Sequence, residues 1–324
     1  MPQGPGEHLE DVKVPPAGKK FLEGALIALA SAAAASLLWT AGWLDRWEYR
    51  TWDWRESLLA RPSPSTDRIR LVLLDQQSLE WGQRENGLSW PWPREVYGAL
   101  LAYLKRAGAK SVAFDVLFTE PSKYGVADDL ALGSAAADQK GFVGALFLGE
   151  KTGGATAWPD GIPAYPLRIK GLAEWMSEDR SRGVAAPRAL FPVPEIASRS
   201  AVLADVQHNP DPAGVYRRVR LFRLFDGKAV PSLALGSLLA GSPETAVEIR
   251  PGSISVGGKS VPVDREGYAI LRFRGASGTT YRQYSAAAVI QSELRLQAGE
   301  EPVLRDPDAF RGRHVIFGFS APGL

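Results

Sequence analysis

The residues of this sequence best placed to do chemistry are carboxylates at strand ends. Asp75 closes the apolar run Ile69 to Leu74, Asp115 lies in a second run, Ser111 to Phe118, and Glu120, Asp128 and Asp129 follow soon after. If both runs are strands of one parallel sheet, their carboxyl ends face a shared crevice, which is where such sheets bind ligands. Arg94, preceded by the stiff Trp90-Pro91-Trp92-Pro93, is the cation that can join Asp75 and Asp115 there. The cluster has two readings, a ligand pocket or a structural ion pair between Arg94 and one of the acids. The ion pair is favoured, because buried carboxylates need partners whatever their function. Paired acids alone do not make a hydrolase.

Other chemistries find no footing. Gly257-Gly258-Lys259-Ser260 ends like a phosphate-binding loop, but Ser253 stands where the first Gly of that motif is required, and strands flank it on both sides. A Gly-x-Ser-x-Gly elbow is absent. With no Cys, disulfides, thiolate nucleophiles and Cys-based metal sites are excluded. His8, His208 and His314 lie too far apart for a local metal motif. No catalytic, cofactor-binding or metal-binding residue is therefore assigned, and no cofactor is expected. Lys plus Arg, 38, against Asp plus Glu, 36, leaves a net charge of +2, so a general nucleic-acid surface is not indicated. At 324 residues, 45% hydrophobic and 23% charged, the composition is that of an ordinary globular chain with ample core.

The elements that must position these residues alternate. After Ile69 to Leu74, Glu95 to Ala107 places Val96, Tyr97, Leu100, Leu101 and Leu104 on one helical face, and Gly108 stops it. Ser111 to Phe118 is a strand, Asp128 to Lys140 a helix and Phe142 to Leu148 a strand, which predicts a parallel core with crossover helices. Residues 150–190 break the rhythm and read as an insertion with a short helix from Ala173 to Glu178, a candidate partner contact. Later come strands at Ala201 to Val206 and Tyr216 to Phe225, a helix over Pro231 to Ala240, and a hairpin turning at Gly257-Gly258. Tyr268 to Arg274 is a strand, Ser285 to Glu293 a helix and His314 to Phe319 a last buried strand. The expected fold is α/β, a mixed sheet with a parallel core and a late antiparallel portion, preceded by one transmembrane helix.

That helix runs from Phe21 to Trp43, and at 1.5 Å per residue it would reach about 35 Å, enough to cross a hydrocarbon core. A cleaved signal peptide is the competing reading, since Ala32 to Ala35 offers small residues. The apolar run continues past them through Leu37, Leu38 and Trp39, and Glu7, Glu10 and Asp11 stand ahead of it, so a retained anchor is expected. Lys13, Lys19 and Lys20 keep residues 1–20 cytoplasmic and put 44–324 in the periplasm, at a single-pass inner membrane. Trp39, Trp43 and Trp47 form an interfacial belt, and with Arg50, Trp52 and Trp54 they are the candidate contacts with partners. Asp45 to Leu59 is a juxtamembrane helix.

Several stretches together resemble the CHASE domain of the second type, a cyclase- and histidine-kinase-associated extracellular sensory domain. They are Leu73-Leu74-Asp75, Ser78-Leu79, Trp90 to Arg94, Ala113 to Phe118, Glu120-Pro121, Asp211 with Gly214 to Arg218, Pro231 to Leu235, Pro262 to Gly267, Phe273 to Gly275 and Arg311 to Gly318. The resemblance spans nearly all of 45–324. It implies a periplasmic domain that delivers a stimulus to cytoplasmic cyclases or kinases through further membrane helices and an output domain. Here the sequence stops at Leu324, after the last strand and without those parts. The expectation is thus a non-catalytic accessory subunit that contacts integral membrane proteins through its anchor helix and periplasmic face. A bioenergetic assembly such as a photosynthetic reaction-centre complex is a candidate host. The alternative is the input domain of a cyclase or kinase receptor.

Overall fold

The computed structural model describes residues 17–177 and 183–322, and divides between Leu59 and Ala60 into two units. The expected cytoplasmic tail up to residue 16, with Lys13 and His8, lies outside the described residues, as does Glu178.

The first unit is two helices. α1 (Ala17–Thr40) is long and apolar enough to cross a membrane, and none of its apolar window is buried. α2 (Asp45–Leu59) matches the expected juxtamembrane helix end to end.

The second unit is built on a parallel sheet. In chain order it contains β1 (Ile69–Leu74), α3 (Gln76–Asn86), α4 (Arg94–Arg106), β2 (Ser111–Phe114), α5 (Val126–Asp138) and β3 (Phe142–Gly149). β4 (Ile169–Lys170), α6 (Leu172–Trp175), β5 (Arg188–Leu190), α7 (Pro194–Ala197) and β6 (Val202–Asp205) follow. Then come β7 (Arg218–Arg220), β8 (Phe222–Phe225), β9 (Lys228–Pro231), α8 (Leu233–Gly241) and β10 (Val247–Arg250). The chain finishes with β11 (Ser253–Val256), β12 (Lys259–Pro262), β13 (Tyr268–Ile270), β14 (Arg282–Ser285), α9 (Ala286–Gln297) and β15 (His314–Phe319). Six strands run parallel in the order β14-β1-β15-β2-β3-β6, and β5 pairs antiparallel with the end of β3. The expected succession of β1, β2 and β3 is parallel but not contiguous, because β15 enters between β1 and β2.

Period-2 alternation sorts the sheet into two faces. Val72, Leu74, Val315 and Phe317 pack beneath α3, α4, α5 and α9 in the largest core, while α8 covers β2, β3 and β6 from the other side. Beyond α8, a four-stranded sheet, β12-β11-β10-β4, closes a second core around Trp175, Phe222, Leu235, Leu239 and Ile249. The predicted hairpin is present, with Gly257 and Gly258 both at positive φ as a two-residue turn requires. The stretch 150–190 is no loose loop. It supplies β4 to the small sheet and β5 to the large one, and buries Ile162, Ile169, Trp175 and Ala189.

Three expected strands are shorter or divided. Tyr268 to Arg274 ends at Ile270. Ser111 to Phe118 leaves the sheet after Phe114, and Tyr216 to Phe225 breaks at Leu221 into β7, paired with β13, and β8, paired with β9. Arg223 is buried.

Candidate functional site

Asp75, Arg94 and Asp115 all stand at the carboxyl edge of the parallel sheet or on the loops above it, but no hydrogen bond or ion pair joins the three. Asp75 is the N-cap of α3. Its Oδ1 accepts from the Ser78 N–H at 2.8 Å and the Ser78 hydroxyl at 2.6 Å, satisfying a helix-terminal donor, and the Ser285 hydroxyl donates to it at 3.1 Å. Asp115 follows β2, with its N–H on the Phe317 carbonyl of β15 at 2.8 Å. Although its surface is exposed, protein crowding pushes its pKa up, and His208 pulls it back; His208 is itself pushed down by desolvation and raised by Asp115.

Arg94 takes other partners. Pro93 leads into α4, so Arg94 begins the helix with its side chain turned toward α5. There it pairs with Asp129, donates to the Glu120 carbonyl, and lies 5.0 Å from the centroid of the Phe118 ring. The neighbouring Asp128 accepts the N–H groups of Arg94 and Glu95 at 2.8 and 2.9 Å, so α5 supplies the cap that α4 lacks in its own sequence. Ser122 completes the arrangement with its N–H on Asp129 at 3.1 Å and its hydroxyl on Asp128. Both acids and the guanidinium are buried and mutually satisfied.

Above this network lies a cleft of about 340 Å³, walled by Trp90, Tyr97, Phe118, Tyr124 and Phe319. Trp90 meets Phe319 edge to face at 5.2 Å, and Trp81 meets Trp92 at 6.2 Å behind it. Burial raises the Tyr97 phenol well above its ordinary range. The cleft is walled mainly by aromatic surface, and the exposed Glu120 and Lys123 also line it. Among the described residues, no three His, Asp or Glu side chains gather as metal ligands would.

A second buried charge network was missed in the sequence. Asp205, at the end of β6, accepts the Leu148 and Gln207 N–H groups, both at 3.0 Å, and lies 3.9 Å from Arg223, which in turn donates to the Leu148 carbonyl, Gln207 and Glu150. Desolvation pushes Asp205 up to about 6, against the pull of those N–H groups and of Arg223 and Arg220. The break in alternation at Phe222-Arg223 was the one signal for it.

On the first unit Trp39, Trp43, Trp47 and Trp54 are each more than 60% exposed, Arg50 is exposed and lies 5.9 Å from the Trp47 ring centroid, and Trp52 is half-buried.

Compared with known families, the chain matches the CHASE2 domain over residues 27–324. It belongs to the CHASE2 domain family. CHASE2 is an extracellular sensory domain type, and α1, among the described residues the one helix long and apolar enough to cross a membrane, fits an anchor for it. No curated protein and no solved structure matches the chain. The CHASE2-like stretches fall at joints of this fold: Leu73 to Asp75 at the β1–α3 turn, Trp90 to Arg94 at the start of α4, and Arg311 to Gly318 along the central strand β15. Asp211, within another, accepts the N–H groups of Ala213 and Val215 at 2.9 and 3.1 Å and pairs with Arg217. Asp211 thus holds its own loop in place.

Proposed function

We propose that this CHASE2 chain is a non-catalytic accessory subunit, anchored by α1 in the inner membrane with its body in the periplasm, that holds integral membrane proteins of a larger assembly. The observation that supports this most is the contrast between two surfaces. Arg94, Asp128 and Asp129 at the sheet edge are closed on one another, while large apolar side chains stand bare on α1 and around the start of α2. Bare aromatic surface of that kind fits the membrane interface and helix partners, and the Ala-rich middle of α1 permits close helix packing.

The alternative, an input module for a cyclase or kinase, draws support from the family itself and from the aromatic cleft beside Arg94. Purification from native membranes in mild detergent, with mass spectrometry of what co-migrates, separates the two. Stoichiometric integral membrane subunits, of a photosynthetic reaction-centre complex or another bioenergetic host, would support the accessory role. Recovery of the chain alone, or within a polypeptide carrying a cyclase or kinase, would end it. Replacing Trp47 and Trp54 together by Ala should release the subunits while the chain stays in the membrane.

A further inference from the structure

A second cleft lies at the opposite, amino-terminal edge of the parallel sheet. It encloses about 380 Å³ between the starts of β1 and β15, the flank of α8 and the β11–β12 hairpin. Its walls are aliphatic: Ile69, Ala234, Leu238, Val256 and Ile316. Its charged lining is all of one sign, Arg68 and Lys259, with no Asp or Glu among the lining residues. Neither cation has a hydrogen bond or ion pair to its side chain among the described residues. Asp67, beside Arg68 in sequence, is already shared between Arg70 at 3.1 Å and Arg313 at 2.9 Å, and Lys110 is drawn to Ser242 at 2.7 Å.

We infer that this cleft is a binding site for a small organic carboxylate with an apolar body, its charge met by Arg68 and Lys259. The volume lies in the range of small-molecule sites, and such sites combine apolar walls with a few polar groups that fix orientation. An arginine fork suits a planar carboxylate. Inorganic phosphate would leave the five aliphatic walls without a partner. His314 forms part of the floor as a neutral ring. Burial, with the charges of Lys110 and Arg68, pushes its pKa down, and its Nδ1 lies 2.8 Å from the Ser111 hydroxyl, itself 2.9 Å from that of Ser237. Ser65 and Arg68 belong to the stretch that joins α2 to β1, so a ligand held here touches the segment of chain leading to the anchor. The inference stands on the body alone and is independent of whether the chain serves as accessory subunit or input module.

The test uses the full chain in lipid nanodiscs, with para-fluorobenzoate as probe, para-fluorobenzyl alcohol as its neutral counterpart, and empty nanodiscs as the blank for lipid partition. Fluorine NMR should show the carboxylate broadened by the protein beyond the blank and the alcohol far less so. Arg68→Ala with Lys259→Ala should weaken the carboxylate about tenfold, as expected for two charge-assisted contacts at a partly exposed site. Ala234→Trp, which fills the cleft from α8, should abolish binding with both cations in place. Equal binding of acid and alcohol, an unchanged double variant, displacement by inorganic phosphate at equal concentration, or no broadening at millimolar probe would each overturn the assignment. Arg68 and Lys259 are exposed, so the double variant should keep the wild-type unfolding temperature, and a loss of binding in it reads the site rather than the fold.

Discussion

Replacing Arg94 by Met removes the one cation of the buried network while keeping its aliphatic length. The Arg94 side chain is 10% exposed and that of Asp129 2%. After the change Asp129 retains the Ser122 N–H but no counter-charge, and the Glu120 carbonyl and the Phe118 ring lose their cation as well. Breaking one side of a buried pair costs about 3–5 kcal/mol, because it strands the other charge away from water. For a body of this size about 2–3 °C of unfolding temperature corresponds to each kcal/mol, so the variant should melt roughly 6–15 °C lower. The assay is thermal unfolding of the full chain in detergent, read by tryptophan fluorescence, with Trp90 and Trp92 adjoining the site. Adding Asp129→Leu to Arg94→Met should recover most of the loss, since removing both charges removes the stranded one. A single variant within about 1 kcal/mol of wild type, or a double variant no better than the single, would refute the assignment of this pair as a closed structural unit.

The raised pKa of Asp205 gives a pH signature. Its folded-state pKa of about 6 exceeds the ordinary 3.8, so the folded protein binds the proton more tightly, and stability from this group declines as pH rises from about 4 to about 6. Asp205→Asn should flatten the unfolding temperature across that window relative to wild type, and an identical pH profile would count against the burial argument. Gly133 on α5 faces the Glu195 backbone of α7 so closely that an added Cβ would strike the carbonyl. Gly133→Ala should therefore cost about 1–3 kcal/mol by overpacking, seen as a lower unfolding temperature. Because the chain has no Cys, single cysteines report topology cleanly. Glu300→Cys should react with an impermeant maleimide added to intact spheroplasts, and Lys19→Cys only after permeabilisation; the reverse pattern would invert the proposed orientation.

Where the signal was local, the sequence was readable. Ile69–Leu74, His314–Phe319 and Asp45–Leu59 fall where apolar runs and proline stops place them. α3 was not foreseen, because QQSLEWGQREN carries too few apolar residues to show a period. Its punctuation was present all the same, in Asp75 three residues before Ser78 and in Gly87, which takes the left-handed conformation at its end. Asp75 was thus legible as a helix cap as much as a ligand. The partner of Arg94 was undecided among the acids because the choice depends on how α5 lies against α4, a tertiary fact with no local trace. β14 is short and partly polar, and its pairing with β1, distant in sequence, is what makes it a strand. By alternation Arg223 falls on the side of Val219, Leu221 and Phe225 rather than that of Arg218 and Arg220, and it is buried.

The place of β15 bears on how the molecule comes to exist. Ile69 is paired with His314, 245 positions further along, and the other neighbour of β1, β14, is nearly as remote. Until residue 319 has been made, β1 and β2 have an empty lane between them, and the emerging chain carries Val72, Leu74 and Phe114 without the strand that unites them. A sheet whose keystone arrives last has a high contact order and closes slowly. Its unfilled centre is an edge that other chains can join. The large sheet therefore closes only once its two most distant segments have met.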